Sequence, residues 1–347
     1  MTRSLLRVAC VVAATAALPV SVHGQSFRAE RHDIGGEGFF DYLSVDTATN
    51  RVFVSRGTHI QVVDAATGKV VGDIGGLPRT HGALIVNATN RGFTTNAGDS
   101  TSTMFDLRTL AVLRQVHTGA AGLDGFMYDD ATGRVLTIDH SRPNGTVVVM
   151  DARTGDVVAR LTTSGDAPEA GVSDGRGRVF VNIEDRNAID VIDDRTWKRV
   201  DSWSIAPCNH PTGIAMDRAT RRIFSACGDT SVVVDATNGH VVARIANGGG
   251  VDGIAFDPAD KLLYIPSGAD GNVTVVHEDG PDSYRVVATV PTMRGARTIA
   301  LNPKTHTAYV FTPEFGPPPA GAPTPTAGRG RAPRGPQVAA WLIAIHR

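Results

Sequence analysis

The chain has 347 residues with 38 Gly, 19 Pro and 6% aromatic residues, a composition that suits many short strands joined by turns around a large core. Lys and Arg total 34 against 35 Asp and Glu, and the net charge of −1 gives no electrostatic footing for nucleic acid or an anionic membrane surface.

The first 24 residues predict export. Arg3 and Arg7 precede an apolar run from Val8 to Val20, and Val22-His23-Gly24 offers a small-residue cleavage site before Gln25. Thirteen apolar residues are too few to span a bilayer that needs ~20. A signal peptide over 1–24 is therefore expected, with the mature protein periplasmic or secreted and carrying a charge of −3 once two arginines are removed. No later segment reads as a membrane span.

From here the chain repeats itself. Strand-turn-strand units are predicted over Asp41–Ser55, His81–Thr95, Asp124–Ile138, Glu169–Asn182, Thr212–Ala226, Asp252–Pro266 and Arg297–Phe311. Hairpins follow over Gln61–Ile74, Thr103–Val116, Val148–Leu161, Asp190–Trp203 and Val232–Ile245. In the last, Asn238-Gly239 is a strong tight-turn signal, since both residues tolerate positive φ. Asp64, Asp106, Asp151, Asp193 and Asp235 recur at these turns, where a side chain that caps its own turn backbone explains them.

Arg51, Arg91, Arg134, Arg178, Arg222, Lys261 and Thr307 mark the second strand of each unit at spacings of 39 to 46 residues. Seven units of four strands at that period predict an all-β, seven-bladed β-propeller, because one such sheet cannot bury both faces without neighbours. The seventh unit is interrupted by a Pro/Gly-rich run, Pro313 to Pro336, predicted as a loop, and then supplies only one further strand, Val338–Arg347. The missing strand is available in Phe27–Gly36, whose Asp33-Ile34-Gly35-Gly36 repeats Asp73-Ile74-Gly75-Gly76 at the close of the first blade. Pairing the two chain ends would close the ring and remove an exposed sheet edge.

The chain resembles the YVTN-type (YncE-like) β-propeller repeat family of exported bacterial proteins. The resemblance is carried by the Asp-x-x-Thr-Gly hairpins at Asp64–Gly68 and Asp151–Gly155, by Pro211-Thr212-Gly213-Ile214-Ala215, and by second strands such as Leu263-Tyr264-Ile265 and Arg178–Asn182. Phe93-Thr94-Thr95-Asn96 is the nearest approach to the eponymous tetrapeptide. The resemblance implies a propeller fold, an envelope location and a binding role, with no shared chemistry.

Strand one of each blade opens at one mouth of the central channel with Asp41, His81, Asp124, Glu169, Thr212, Asp252 and Arg297, and His210 stands two residues before Thr212. His59, Asp139, His140, Glu184 and Asp185 lie on loops returning to the same mouth. Crowded carboxylates raise one another's pKa or attract a cation, and Asp124, Glu169, Asp252 and His81 are the candidate ligands of a divalent ion. The plainer reading is a wet channel lined by solvated carboxylates and turn chemistry. His32, His117, His240 and His277 read as surface residues. Cys208 and Cys227 flank strands of one blade and are expected to form a disulfide in an oxidising compartment.

Two functions of different class remain. The first is a non-enzymatic exported protein, expected as a monomer, that binds a protein, peptide or small envelope ligand at the charged mouth. The alternative is a metal-assisted hydrolase or lyase of the lactonase type using the mouth carboxylates and histidine. His-Glu-x-x-His and Walker motifs do not occur. Three Trp, at 197, 203 and 341, do not supply the Trp-rich blades of a quinone-dependent dehydrogenase.

Overall fold

Each blade is an antiparallel four-stranded meander, and seven of them form a closed β-propeller. A computed structural model describes residues 26–39, 41–319 and 334–347; the segment read as a signal peptide lies outside these. Blades 1 to 6 occupy residues 43–74, 80–117, 123–162, 168–204, 214–246 and 255–291.

Blade 7 is built from both ends of the chain, in the order Arg28–Asp33, Gln337–His346, Thr307–Phe315 and Ile299–Asn302. Arg28 pairs with His346 and Asp33 with Trp341, so the N-terminal strand covers the edge that the last strand would otherwise expose. The hairpin reaches into the Pro/Gly-rich run: Pro313, Glu314 and Phe315 pair with Ala340, Ala339 and Gln337, and the Gly316 amide donates to Pro336 O. Proline is tolerated in a ladder where its missing N–H is not called on.

The hairpins differ from the tight Asn-Gly turn that the sequence suggests. Positive φ occurs at Gly239 but not at Asn238, and the amides of both donate to Asp235 O. This is a type I turn followed by a left-handed residue, with the register slipping at Val233/Val234. Gly68 and Gly155 take the same left-handed position, and Leu110 and Trp197 fill it in the looser copies. Asp64, Asp106, Asp151, Asp193 and Asp235 accept backbone N–H groups of their own turns, as expected.

Alternation along the strands places apolar residues on both faces of each sheet, so the core lies between blades. Phe53, Ile60 and Val62 of blade 1 meet Ala83 and Phe105 of blade 2, and Val52 and Val54 meet Phe311 and Leu342 of blade 7. His117 and His240 are exposed as expected. His32 and His277 are half-buried instead, His32 because its ring lies against Gly68 and His277 because it pairs with Asp279. The sulfurs of Cys208 and Cys227 are at bonding distance, with Cα atoms 5.5 Å apart. Among the described residues no helix is long and apolar enough to cross a membrane.

Candidate functional site

The mouth is fixed by hydrogen bonds that run from six of the seven blades to the opening of a neighbour's first strand. Ser55 Oγ donates to Thr80 O, Thr95 Oγ1 to Asp124 O, Asn182 Nδ2 to Thr212 O, Thr212 Oγ1 to Val251 O and Thr298 Oγ1 to Asp41 O. Tyr42 N donates to His81 O and Asp252 N to Arg297 O. Side chains at these openings therefore stand on a stapled ring rather than on free loops.

On that ring the ionisable groups form one continuous chain of contacts. Arg297 Nη2 donates to Asp41 Oδ1 at 3.1 Å, and its Nε lies 2.9 Å from Asp252 Oδ2. His81 Nδ1 lies 3.0 Å from Asp41 Oδ2 and 2.9 Å from Asp124 Oδ1. His140 Nδ1 sits 3.2 Å from Glu169 Oε2 and 4.0 Å from Asp124 Oδ2. Tyr42 reaches from blade 1 to blade 4, where its hydroxyl donates to Glu169 Oε1 at 3.3 Å.

Two glycines make these approaches possible. A Cβ on Gly82 would meet the Phe126 ring at 2.6 Å and Tyr42 Cβ at 2.8 Å, and one on Gly125 would meet Glu169 O at 2.1 Å. Those distances are too short for any larger residue, so Gly82 gives Tyr42 its path and Gly125 lets blade 3 close on blade 4.

Burial and like charge set the protonation states. Glu169 is pushed up to about 7, mainly by burial and then by Asp124, against the pull of His140. Burial and the charges of Asp41, Glu169 and Asp124 push Asp252 up to about 8 against the Arg297 guanidinium. Its rise agrees with the geometry: Arg297 Nε makes no hydrogen bond among the described residues, despite its proximity to Asp252. For His81 burial lowers the pKa, but the neighbouring carboxylates of Asp124 and Asp41 outweigh it and bring it to about 9. His140 is raised by Glu169, and Tyr42 is raised by burial and the surrounding carboxylates.

The structure thus gathers Asp41, His81, Asp124, Glu169, Asp252 and Arg297. It does not gather His210, whose side chain is 75% exposed at the rim and lies 3.5 Å from Glu184. Asp252, expected among the cation ligands, instead faces Arg297. His59 pairs with Asp73 away from the network, while Asp139 and Asp185 accept backbone amides of nearby turns. Sequence reasoning missed Tyr42. The signal it offered was an aromatic residue next to Asp41, directed into a channel mouth rather than into an inter-blade core.

Two grooves open on the same face. One, of about 780 Å³, lies between blades 1 and 2 and is lined by His59, Asp73, Leu77, Pro78 and Asp99. The other, of about 390 Å³, lies beside blade 7, where Phe39, Met293, Phe315, Arg294 and Arg334 meet.

These features define a seven-bladed propeller with a charged, hydrogen-bonded mouth. No family model matches the chain, and no curated protein matches it. Solved structures do. A chain of hydrazine synthase from Kuenenia stuttgartiensis is similar with a TM-score of 0.68 and 16% identity, over 80% of this chain and 94% of that one. A chain in the crystal structure of a mitotic checkpoint complex is similar with a TM-score of 0.71 and 16% identity, over 89% of this chain and 95% of that one. At this identity the likeness shows the fold alone.

Proposed function

We propose that the protein is an exported binding propeller of the YVTN-type repeat class, and that its channel mouth recognises a protein or peptide through an amine or guanidinium group. The observation that carries this reading is the imbalance at the mouth. Four carboxylates, Asp41, Asp124, Glu169 and Asp252, converge from blades 1, 3, 4 and 6 around one guanidinium, Arg297, and two imidazoles, His81 and His140. A ligand cation would complete the charge balance and keep Glu169 and Asp252 ionised. The two grooves on the same face give a peptide chain apolar surface beyond the charged mouth. Export rests on the pattern of residues 1–24.

A peptide library screened against the immobilised protein should yield binders that carry Lys or Arg. Glu169→Gln or Asp252→Asn should weaken them about tenfold or more, the loss of roughly one charge contact. Asp282→Asn, at the opposite face, should leave affinity unchanged. Binders indifferent to both mouth substitutions would overturn the reading.

A further inference from the structure

Asp124 belongs to two clusters of ligating groups at the mouth. The single hydrogen at His81 Nδ1 serves Asp41, so Asp124 Oδ1, fully shielded from solvent, is left without a hydrogen bond among the described residues. Its other oxygen lies 4.0 Å from His140 Nδ1, beyond hydrogen-bond reach. The His81 ring lies 2.9 Å from Oδ1 and supplies charge but no hydrogen bond, and a buried lone pair without a donor is costly.

The neighbours are of the kind that hold such a cation. Asp124, His140 and Glu169 bring a ligand atom each within 4.8 Å of one another, as do Asp41, His81 and Asp124. The second set is already supplied with positive charge, because Asp41 faces Arg297 and His81 lies between two carboxylates. The first set meets that charge only through the shared Asp124. It combines two carboxylates with one imidazole that is 30% exposed, which gives an incoming ion a path from solvent. A third set, Asp257, Asp260 and His306, lies at the opposite end of the channel, where Arg347 Nη1 already sits 2.9 Å from Asp260.

We propose that Asp124, His140 and Glu169 bind one divalent first-row transition-metal ion, with His81 and Asp41 holding Asp124 in position. The mixed nitrogen and oxygen donors select this class over Ca²⁺ or Mg²⁺, which prefer all-oxygen shells. With three protein ligands, the ion keeps an outward position for water or for a donor group of the ligand. The proposal rests on the mouth being the recognition site, but the two fail separately. Loss of ion binding with mouth-dependent peptide binding intact removes the ion alone.

The test uses the full chain stripped with chelator and titrated separately with Zn²⁺ and Ca²⁺ by calorimetry. One Zn²⁺ per chain is expected, with Co²⁺ substitution giving visible d–d absorption. Asp124→Asn and His140→Gln should each weaken Zn²⁺ binding about 100-fold or more, since loss of a direct ligand exceeds the effect of its supporting partners. His306→Gln should leave it unchanged. If Asp124→Asn does not fold by circular dichroism, Glu169→Gln takes its place, as it keeps the side-chain shape and the acceptor for Tyr42. The absence of a Co²⁺ spectrum in the unaltered chain, preference for Ca²⁺, or Zn²⁺ binding that survives loss of the ligands would each overturn the proposal.

Discussion

Arg56→Ala should cost about 3–5 kcal/mol of stability, the range expected when a buried, hydrogen-bonded charge is removed from its partners. Arg56 is 1% exposed and follows the second strand of blade 1. Its Nε donates to Gly38 O at 2.7 Å, Nη1 to Gly35 O at 2.9 Å and Nη2 to Gly36 O at 2.7 Å, while Nη1 also reaches Gln61 Oε1. The guanidinium lies 5.1 Å from the centre of the Phe311 ring in blade 7. Burial brings its pKa down to about 10, so it remains charged at neutral pH. One side chain therefore ties the segment after the closing strand to blades 1 and 7. Alanine would take the side-chain donor from the Gly35 and Gly38 carbonyls, Gly36 O keeping the Gln337 amide, and leave a cavity at the seam. Lysine, with a single nitrogen for acceptors now shared by three, should recover about half of the loss. Urea unfolding followed by Trp fluorescence measures the effect, since Trp341 pairs with Asp33 at this seam. A loss below about 1 kcal/mol would show that the sheet pairing closes the ring without the clasp.

The closure itself was legible in the sequence because Asp33-Ile34-Gly35-Gly36 repeats the close of blade 1, and identical local sequence asks for an identical place in a sheet. The blades were legible for a similar reason: each hairpin is held by contacts close in sequence, such as Asp235 with Thr237. The mouth was half legible. Periodicity placed Asp41, Asp124, Glu169 and Asp252 on one rim, but no local signal says that Tyr42 would cross to Glu169, 127 residues away. Arg218 and Asp130 are a parallel case. They pair across the intervening blade 4, where Gly175 leaves room for the guanidinium. Arg56 reads in sequence as one more basic turn residue, and only the ring geometry turns it inward. The Asn238-Gly239 turn was misread because the dipeptide serves two turn types, and the register slip that separates them is a property of the pairing.

Glu278→Gln should stabilise the protein more at pH 8 than at pH 5, the direction expected when a raised carboxyl pKa is removed from the folded state. Glu278 is 1% exposed in blade 6, and its Oε1 accepts from Thr220 Oγ1 of blade 5 and from the Tyr284 hydroxyl. Burial, then the charge of Asp217, pushes its pKa up, while hydrogen bonds from Thr220 and Ala219 hold Asp217 down against its own burial. Protonated Glu278 can donate to the Asp217 carboxylate; ionised, it has Oε2 shielded from solvent and without a donor among the described residues. The sign follows from linkage. A carboxyl whose folded pKa lies above its unfolded value of about 4.3 binds more protons folded than unfolded, so stability falls as pH rises from the unfolded pKa to the folded one. Below that window the pair shares its proton at no penalty, and above it two carboxylates face each other in the seam between blades 5 and 6. The glutamine amide would make the same donation to Asp217 at every pH and keep an acceptor for Thr220 and Tyr284. Urea unfolding of both proteins at the two pH values decides the matter. An equal gain at pH 5 and pH 8 would mean that packing, not the shared proton, sets the difference.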